Sequence, residues 1–146
     1  MSFVIEENIL KVKSKDKFFS LHEFCSEKEE AFYLYDLDGI ENRFNFLKKN
    51  LAKNKNPVRI HYAMKANSHP LVLQKLKSLG AHVDVVSLGE INQALDNNFE
   101  SSDIIFSGVG KSRKEITEAL KLGIYQLNVE SLPELKRIAE LSLIHI

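Results

Sequence analysis

A lysine closing an apolar run is the first residue of this chain that is equipped for covalent chemistry. The run is Ile60-His-Tyr-Ala-Met-Lys-Ala-Asn67. Side chains alternate along an extended segment, so His61, Ala63 and Lys65 share one face and Ile60, Tyr62 and Met64 the other. A lysine turned toward an interior is costly unless it is deprotonated or paired. Burial and nearby positive charge lower an amine's pKa, and an unprotonated lysine amine is a nucleophile toward aldehydes. Taken alone, a strand-end lysine reaching solvent is the simpler account of Lys65.

Other residues offer weaker chemistry. Asp84 lies inside a second apolar run, His82-Val-Asp-Val-Val86, where a carboxylate either serves a site or satisfies nearby backbone amides. Gly108-Val-Gly-Lys-Ser112 invites comparison with a phosphate-binding loop, but G-x-x-x-x-G-K-[ST] requires glycine at position 105, where Ile105 stands. His22, His61, His69 and His82 show no regular i, i+4 spacing, and no metal ligand set emerges. His61 and His82 are expected to be packed or partly exposed. Cys25 is the single cysteine, which precludes an internal disulfide and points to a reducing compartment.

The elements that must carry these residues repeat. Short runs rich in β-branched or aromatic residues at 59–66, 82–86, 104–107 and 125–129 begin roughly 21 to 23 residues apart, the length of a βα unit, and imply a parallel sheet. Ser87-Leu-Gly-Glu90, Ser112-Arg-Lys-Glu115 and Ser131-Leu-Pro-Glu134 each read S-x-x-E directly after a run, the pattern of a capping box. Apolar residues then recur at helical spacing: Val72, Leu76 and Leu79; Ile91, Ala94 and Leu95; Ile116, Ala119 and Leu120; Leu135, Ile138 and Ala139. An earlier helix opened by Asp38 and Glu41 carries Ile40, Phe44 and Leu47. Gly80 and Gly123 mark helix ends, and Asn97-Asn98 has the same role. Four βα units suit either a small open sheet or half of a (β/α)8 barrel; a whole barrel takes about 250 residues, and length alone favours the open sheet.

Here a resemblance intervenes. Tyr62-Ala-Met-Lys-Ala-Asn67 is similar to the cofactor-lysine motif of the fold-type III pyridoxal-phosphate-dependent decarboxylases, which share the alanine racemase type of barrel. Tyr33-Leu-Tyr-Asp-Leu-Asp38 resembles the stretch leading into that barrel, and residues 80–90 resemble its second strand and turn. Residues 105–112, followed by Asn128-Val-Glu-Ser131, resemble the branch acting on meso-2,6-diaminopimelate more than the ornithine and arginine branches.

The resemblance covers about residues 33–140. It implies an α/β fold, the N-terminal half of a TIM (β/α)8 barrel, with Lys65 at the carboxyl end of the first strand, where barrel active sites form. It implies that Lys65 holds pyridoxal 5'-phosphate covalently, with Asp84 near the attachment point and Ala63 beside it as the candidate cofactor contacts. The implied activity is decarboxylation of meso-2,6-diaminopimelate to L-lysine. Ornithine, arginine or carboxynorspermidine decarboxylation, and a non-catalytic pyridoxal-phosphate-binding barrel, are the alternatives.

The domain reading follows. Residues 1–34, with strand-like Phe3-Val-Ile5 and Ile9-Leu-Lys-Val12 and a brief helix at 21–24, form a segment that would pack with a β-domain supplied elsewhere. Residues 35–140 are the first four βα units. Residues 141–146, Leu-Ser-Leu-Ile-His-Ile, lack a helix stop and match a translated library-adapter end, so they are expected to be non-native. A half-barrel exposes sheet edges, and the piece alone is expected to be poorly stable and inactive.

Composition agrees with a globular chain: 44% hydrophobic, 27% charged, with 20 basic and 20 acidic residues. The balance offers no footprint for nucleic acid, and no stretch suits a secretory signal or membrane span. The expected partner is a small amino acid, in a cytoplasmic homodimer.

Overall fold

The computed structural model describes residues 3–14, 17–26 and 28–142. The chain divides into two compact units, Met1–Asn50 and Leu51–Ile146.

In the first unit, β1 (Phe3–Glu6), β2 (Ile9–Ser14) and β3 (Lys17–Ser20) form an antiparallel sheet in sequential order. Glu6 pairs with Ile9, so Glu7 and Asn8 are the two loop residues of a hairpin. Both have positive φ, 52° and 61°, as a type I′ turn demands; its twist matches that of the strands. The short helix α1 (Leu21–Ser26) follows. The helix α2 (Leu37–Leu51) buries Phe44 and is capped by Asp36, whose Oδ1 accepts from the Gly39 amide at 2.8 Å. The third strand was not legible in sequence, since Phe18-Phe19 between polar flanks carries no alternation. The cap also falls two residues before the expected Asp38, and the boundary expected at 34/35 falls inside the first unit.

The second unit is a four-stranded parallel sheet, β4 (His61–Ala63), β5 (His82–Val85), β6 (Ile104–Phe106) and β7 (Gln126–Leu127), in that spatial order. The helices α3 (Pro70–Ser78), α4 (Leu88–Asp96), α5 (Arg113–Leu122) and α6 (Leu132–Ser142) follow each strand in turn. Registers are even: Ala63 opposes Asp84, Asp84 opposes Ile105, and Ile105 opposes Gln126. Period 2 then divides the sheet cleanly. Met64, Val83, Val85, Ile104 and Phe106 are fully buried against Leu73, Ile91, Ala94 and Ala119 of the helices. The other face carries His61, Ala63, His82, Asp84 and Ile105, all half-buried.

The anticipated caps form. Ser87, Ser112 and Ser131 Oγ each accept from the amide three residues on, at 3.2, 3.2 and 3.3 Å. Only Ser112 makes the reciprocal box, with its amide 2.9 Å from Glu115 Oε2. Glu90 and Glu134 reach one residue further back, to the amides of Val86 and Glu130, both at 2.8 Å. Gly123 ends α5 in the left-handed conformation, and Asn98 adopts positive φ after α4. Leu141 and Ser142 continue α6, with Leu141 buried; residues 143–146 of the suspected tail lie outside those described. No helix among the described residues is long and apolar enough to cross a membrane.

Candidate active site

Lys65 does not sit in the strand. β4 ends at Ala63, and residues Met64–Ala66 turn as a single 3-10 turn at the strand's carboxyl end. Met64 anchors that turn in the core at 0% exposure. The Tyr62 hydroxyl donates to the Asn67 carbonyl at 3.0 Å, and Gln93 Nε2 donates to the Ser68 carbonyl at 2.7 Å. Burial pushes the Tyr62 hydroxyl above its usual pKa, opposed by its bond to Asn67, so it remains a donor at neutral pH. With the turn pinned on both sides of it, Lys65 is exposed and makes no hydrogen bond or ion pair among the described residues. A strand-end lysine reaching solvent, the simpler account from the sequence taken alone, is what the described residues show. The amine is available to an incoming group, and enclosing it requires structure other than the described residues.

Asp84 opposes Ala63 across the sheet, on the same face. Its Oδ1 accepts from Ser107 Oγ at 2.5 Å, Ser107 Oγ accepts from Asn128 Nδ2 at 2.9 Å, and Asn128 Oδ1 accepts from Gln126 Nε2 at 2.5 Å. Ser107 and Asn128 lie just past the ends of β6 and β7. Their amides extend the ladders to Val85 O at 2.8 Å and Phe106 O at 2.9 Å, which keeps both in register with the face of Asp84.

The segment once comparable to a phosphate loop serves another purpose. Lys111 is 3% exposed, and its Nζ donates to Gly108 O at 2.7 Å, Asn128 O at 2.7 Å and Glu134 Oε1 at 3.0 Å. All three ammonium donors are satisfied, as a buried charge requires. Gly108 reaches this geometry at φ 97°, where a Cβ would sit 3.4 Å from that of Val86. Arg137 closes the cluster by donating to the Lys111 carbonyl at 2.9 Å. The pair was invisible in the sequence, since Lys111 and Glu134 belong to different βα units.

At the opposite ends of the strands His61 stacks on His82 and Tyr125, at 5.0 and 6.2 Å between centroids, with the Arg59 guanidinium 4.6 Å from the Tyr125 ring. Burial pushes the His61 imidazole below its usual pKa. His82 Nδ1 approaches Asp103 Oδ1 at 2.9 Å. The two histidines are packed rings, as the sequence suggested.

Three carboxylates, Glu115 and Glu134 in first helical turns after strands and Asp103 just before β6, are held below their usual range. Burial pushes Glu134 up, but the Glu130 amide and Lys111 outweigh it. The amide and hydroxyl of Ser112 depress Glu115. Burial of Asp103 is outweighed by Lys77 and the Glu100 amide. A carboxyl whose native pKa lies below its unfolded value adds stability that is full above the unfolded value and lost as pH falls through the native one. The urea midpoint of the protein is therefore expected to hold from neutrality to about pH 5 and to fall below it. An equal midpoint at about pH 6 and pH 3 would contradict this linkage.

The family described as pyridoxal-dependent decarboxylase, pyridoxal binding domain, matches residues 37–143. The chain belongs to this family. Among its relatives, diaminopimelate decarboxylase of Helicobacter pylori strain J99 is 46% identical over 120 residues, which are 82% of this chain and 29% of the relative. The crystal structure of Helicobacter pylori diaminopimelate decarboxylase complexed with L-lysine superposes with a TM-score of 0.77 at 42% identity, over 86% of this chain and 32% of that one. Ornithine decarboxylase from Entamoeba histolytica gives 0.74 at 31% identity, over 84% and 36%. The chain thus spans about 29% of the length of the curated relative it matches, and its parallel βα units are an α/β piece of the decarboxylase fold.

The chemistry of the residues present is compatible with the pyridoxal cofactor that the family's domain binds. A free primary amine stands at the carboxyl end of a parallel strand, on a turn fixed by a buried methionine and two hydrogen bonds. A carboxylate that accepts from the Ser107 hydroxyl lies opposite Ala63 on the neighbouring strand.

Proposed function

We propose that the protein containing this chain decarboxylates meso-2,6-diaminopimelate to L-lysine, with pyridoxal 5'-phosphate attached to Lys65. The single observation carrying this is the unpartnered Lys65 amine on its fixed turn, in a family whose domain binds pyridoxal. When bound, the cofactor supplies the electron sink for loss of carbon dioxide. Lys65 would provide the amine that holds it and a group able to accept and donate protons. Met64, Tyr62 and Gln93 fix where that amine stands. Ala63 offers a face without bulk between Lys65 and the sheet, and Asp84 places negative charge on the same face.

Substrate choice rests on likeness. Among solved structures, the Helicobacter pylori diaminopimelate decarboxylase shares 42% identity with the chain against 31% for the Entamoeba histolytica ornithine enzyme, while the M. jannaschii diaminopimelate decarboxylase shares 26%. The separate antiparallel sheet of β1, β2 and β3 supports reading residues 1–34 as part of a β-rich domain, and the protein is read, by family likeness alone, as a cytoplasmic homodimer.

The test is an assay of the full-length protein with meso-2,6-diaminopimelate, ornithine and arginine, following carbon dioxide and L-lysine. We expect kcat/KM for diaminopimelate to exceed the others by about 10²-fold or more, the scale at which a site built to bind a polar group rejects substrates lacking it. Preference for ornithine or arginine would replace the substrate, and no turnover of any would remove the enzymatic reading.

A further inference from the structure

We propose that Ser107 and Asn128 are positioning residues that act on the Lys65 site through Asp84. This rests on the reading of Lys65 as the cofactor-bearing residue. The contacts run one way. Gln126 donates to Asn128, Asn128 donates to Ser107, and Ser107 donates to Asp84, at 2.5, 2.9 and 2.5 Å.

The direction has a consequence for each member. A carboxylate is an acceptor only, a hydroxyl donates one proton and accepts others, and a side-chain amide does both. Ser107 spends its single proton on Asp84, and the amide of Asn128 is what fixes that choice by occupying the hydroxyl's acceptor side. With Asn128 gone the hydroxyl is free to rotate, and Asp84 loses a fixed donor. The chain of donors therefore sets which way the Asp84 carboxylate faces, opposite Ala63 and two residues short of Lys65.

The backbone supports the same end. Ser107 and Asn128 are held by ladder bonds to Val85 and Phe106. Lys111 Nζ grips the carbonyls of Gly108 and Asn128 together, both at 2.7 Å. That grip fixes the separation of the two strand ends and hence the distance over which Asn128 reaches Ser107. Asp84, Ser107 and Asn128 are half-buried, where a hydrogen bond to a charged group counts for more than at an exposed site.

The experiment uses the full-length protein loaded with pyridoxal 5'-phosphate. Ser107→Ala and Asn128→Ala are each expected to lower kcat roughly tenfold with KM changed by no more than about twofold, the scale of one lost hydrogen bond to a charged group. Each is also expected to alter the circular dichroism of the bound cofactor, which reports its orientation. Ser107→Thr keeps the hydroxyl and should restore both readouts. In an Asp84→Asn background neither alanine variant should cause a further tenfold loss, because residues acting through one group are not additive.

A full extra loss in that background overturns the proposal, as do unchanged kcat and dichroism in both alanine variants. Failure of the underlying reading looks different: a Lys65→Ala protein that still shows the covalent cofactor band would displace the lysine assignment, whatever Ser107 and Asn128 do.

Discussion

Lys65→Ala in the full-length protein is expected to abolish the absorbance band of covalently held cofactor and to lower kcat by at least about 10²–10⁴-fold, the usual worth of a placed acid or base. The loss arises twice over, from the attachment and from the proton transfers that the released amine would perform. It should leave stability nearly untouched. Lys65 is exposed and has no partner among the described residues, and surface substitutions away from special features fall within about ±0.5 kcal/mol. Spectrum, turnover and urea midpoint together make the test. A variant that loses turnover together with several kcal/mol of stability would mean that Lys65 holds the turn rather than the cofactor.

Lys111 should show the reverse pattern. Lys111→Ala is expected to destabilise the protein by about 3–5 kcal/mol, because it leaves Glu134 charged and buried without its ammonium. Two carbonyls, Gly108 and Asn128, lose their donor at the same time. The double variant Lys111→Met with Glu134→Leu removes the stranded charge and should lie closer to the wild type than Lys111→Met alone, since an apolar pair often matches a buried ion pair. Urea unfolding of the three variants and the wild type checks this. Equal midpoints for the single variant and the wild type would mean that the ion pair carries no stability.

The two lysines show why residue type alone misleads. Lys111 stands in a segment that looks like a phosphate loop and is sealed in a salt bridge. Lys65, at the end of an apolar run, is exposed and has no partner among the described residues. Their environments differ because of what the neighbouring strand ends bring to each, and those neighbours lie 17 and 23 residues from Lys111.

Much was settled locally. The βα rhythm, the serine caps at Ser87, Ser112 and Ser131 and the stops at Gly123 and Asn98 follow from contacts spanning a few residues, and each could be read from spacing. The alternation in residues 60–64 put Tyr62 and Met64 on one face, and that face is the one packed in the core, since period 2 is a property of any extended chain. Tertiary structure alone decided the rest. It ended β4 at Ala63 and put Lys65 on a 3-10 turn, an outcome that alternation along the run does not foresee. It joined Asp84, Ser107 and Asn128, and Lys111 with Glu134, because parallel registers bring together side chains about 20 residues apart, a distance at which no local pattern survives.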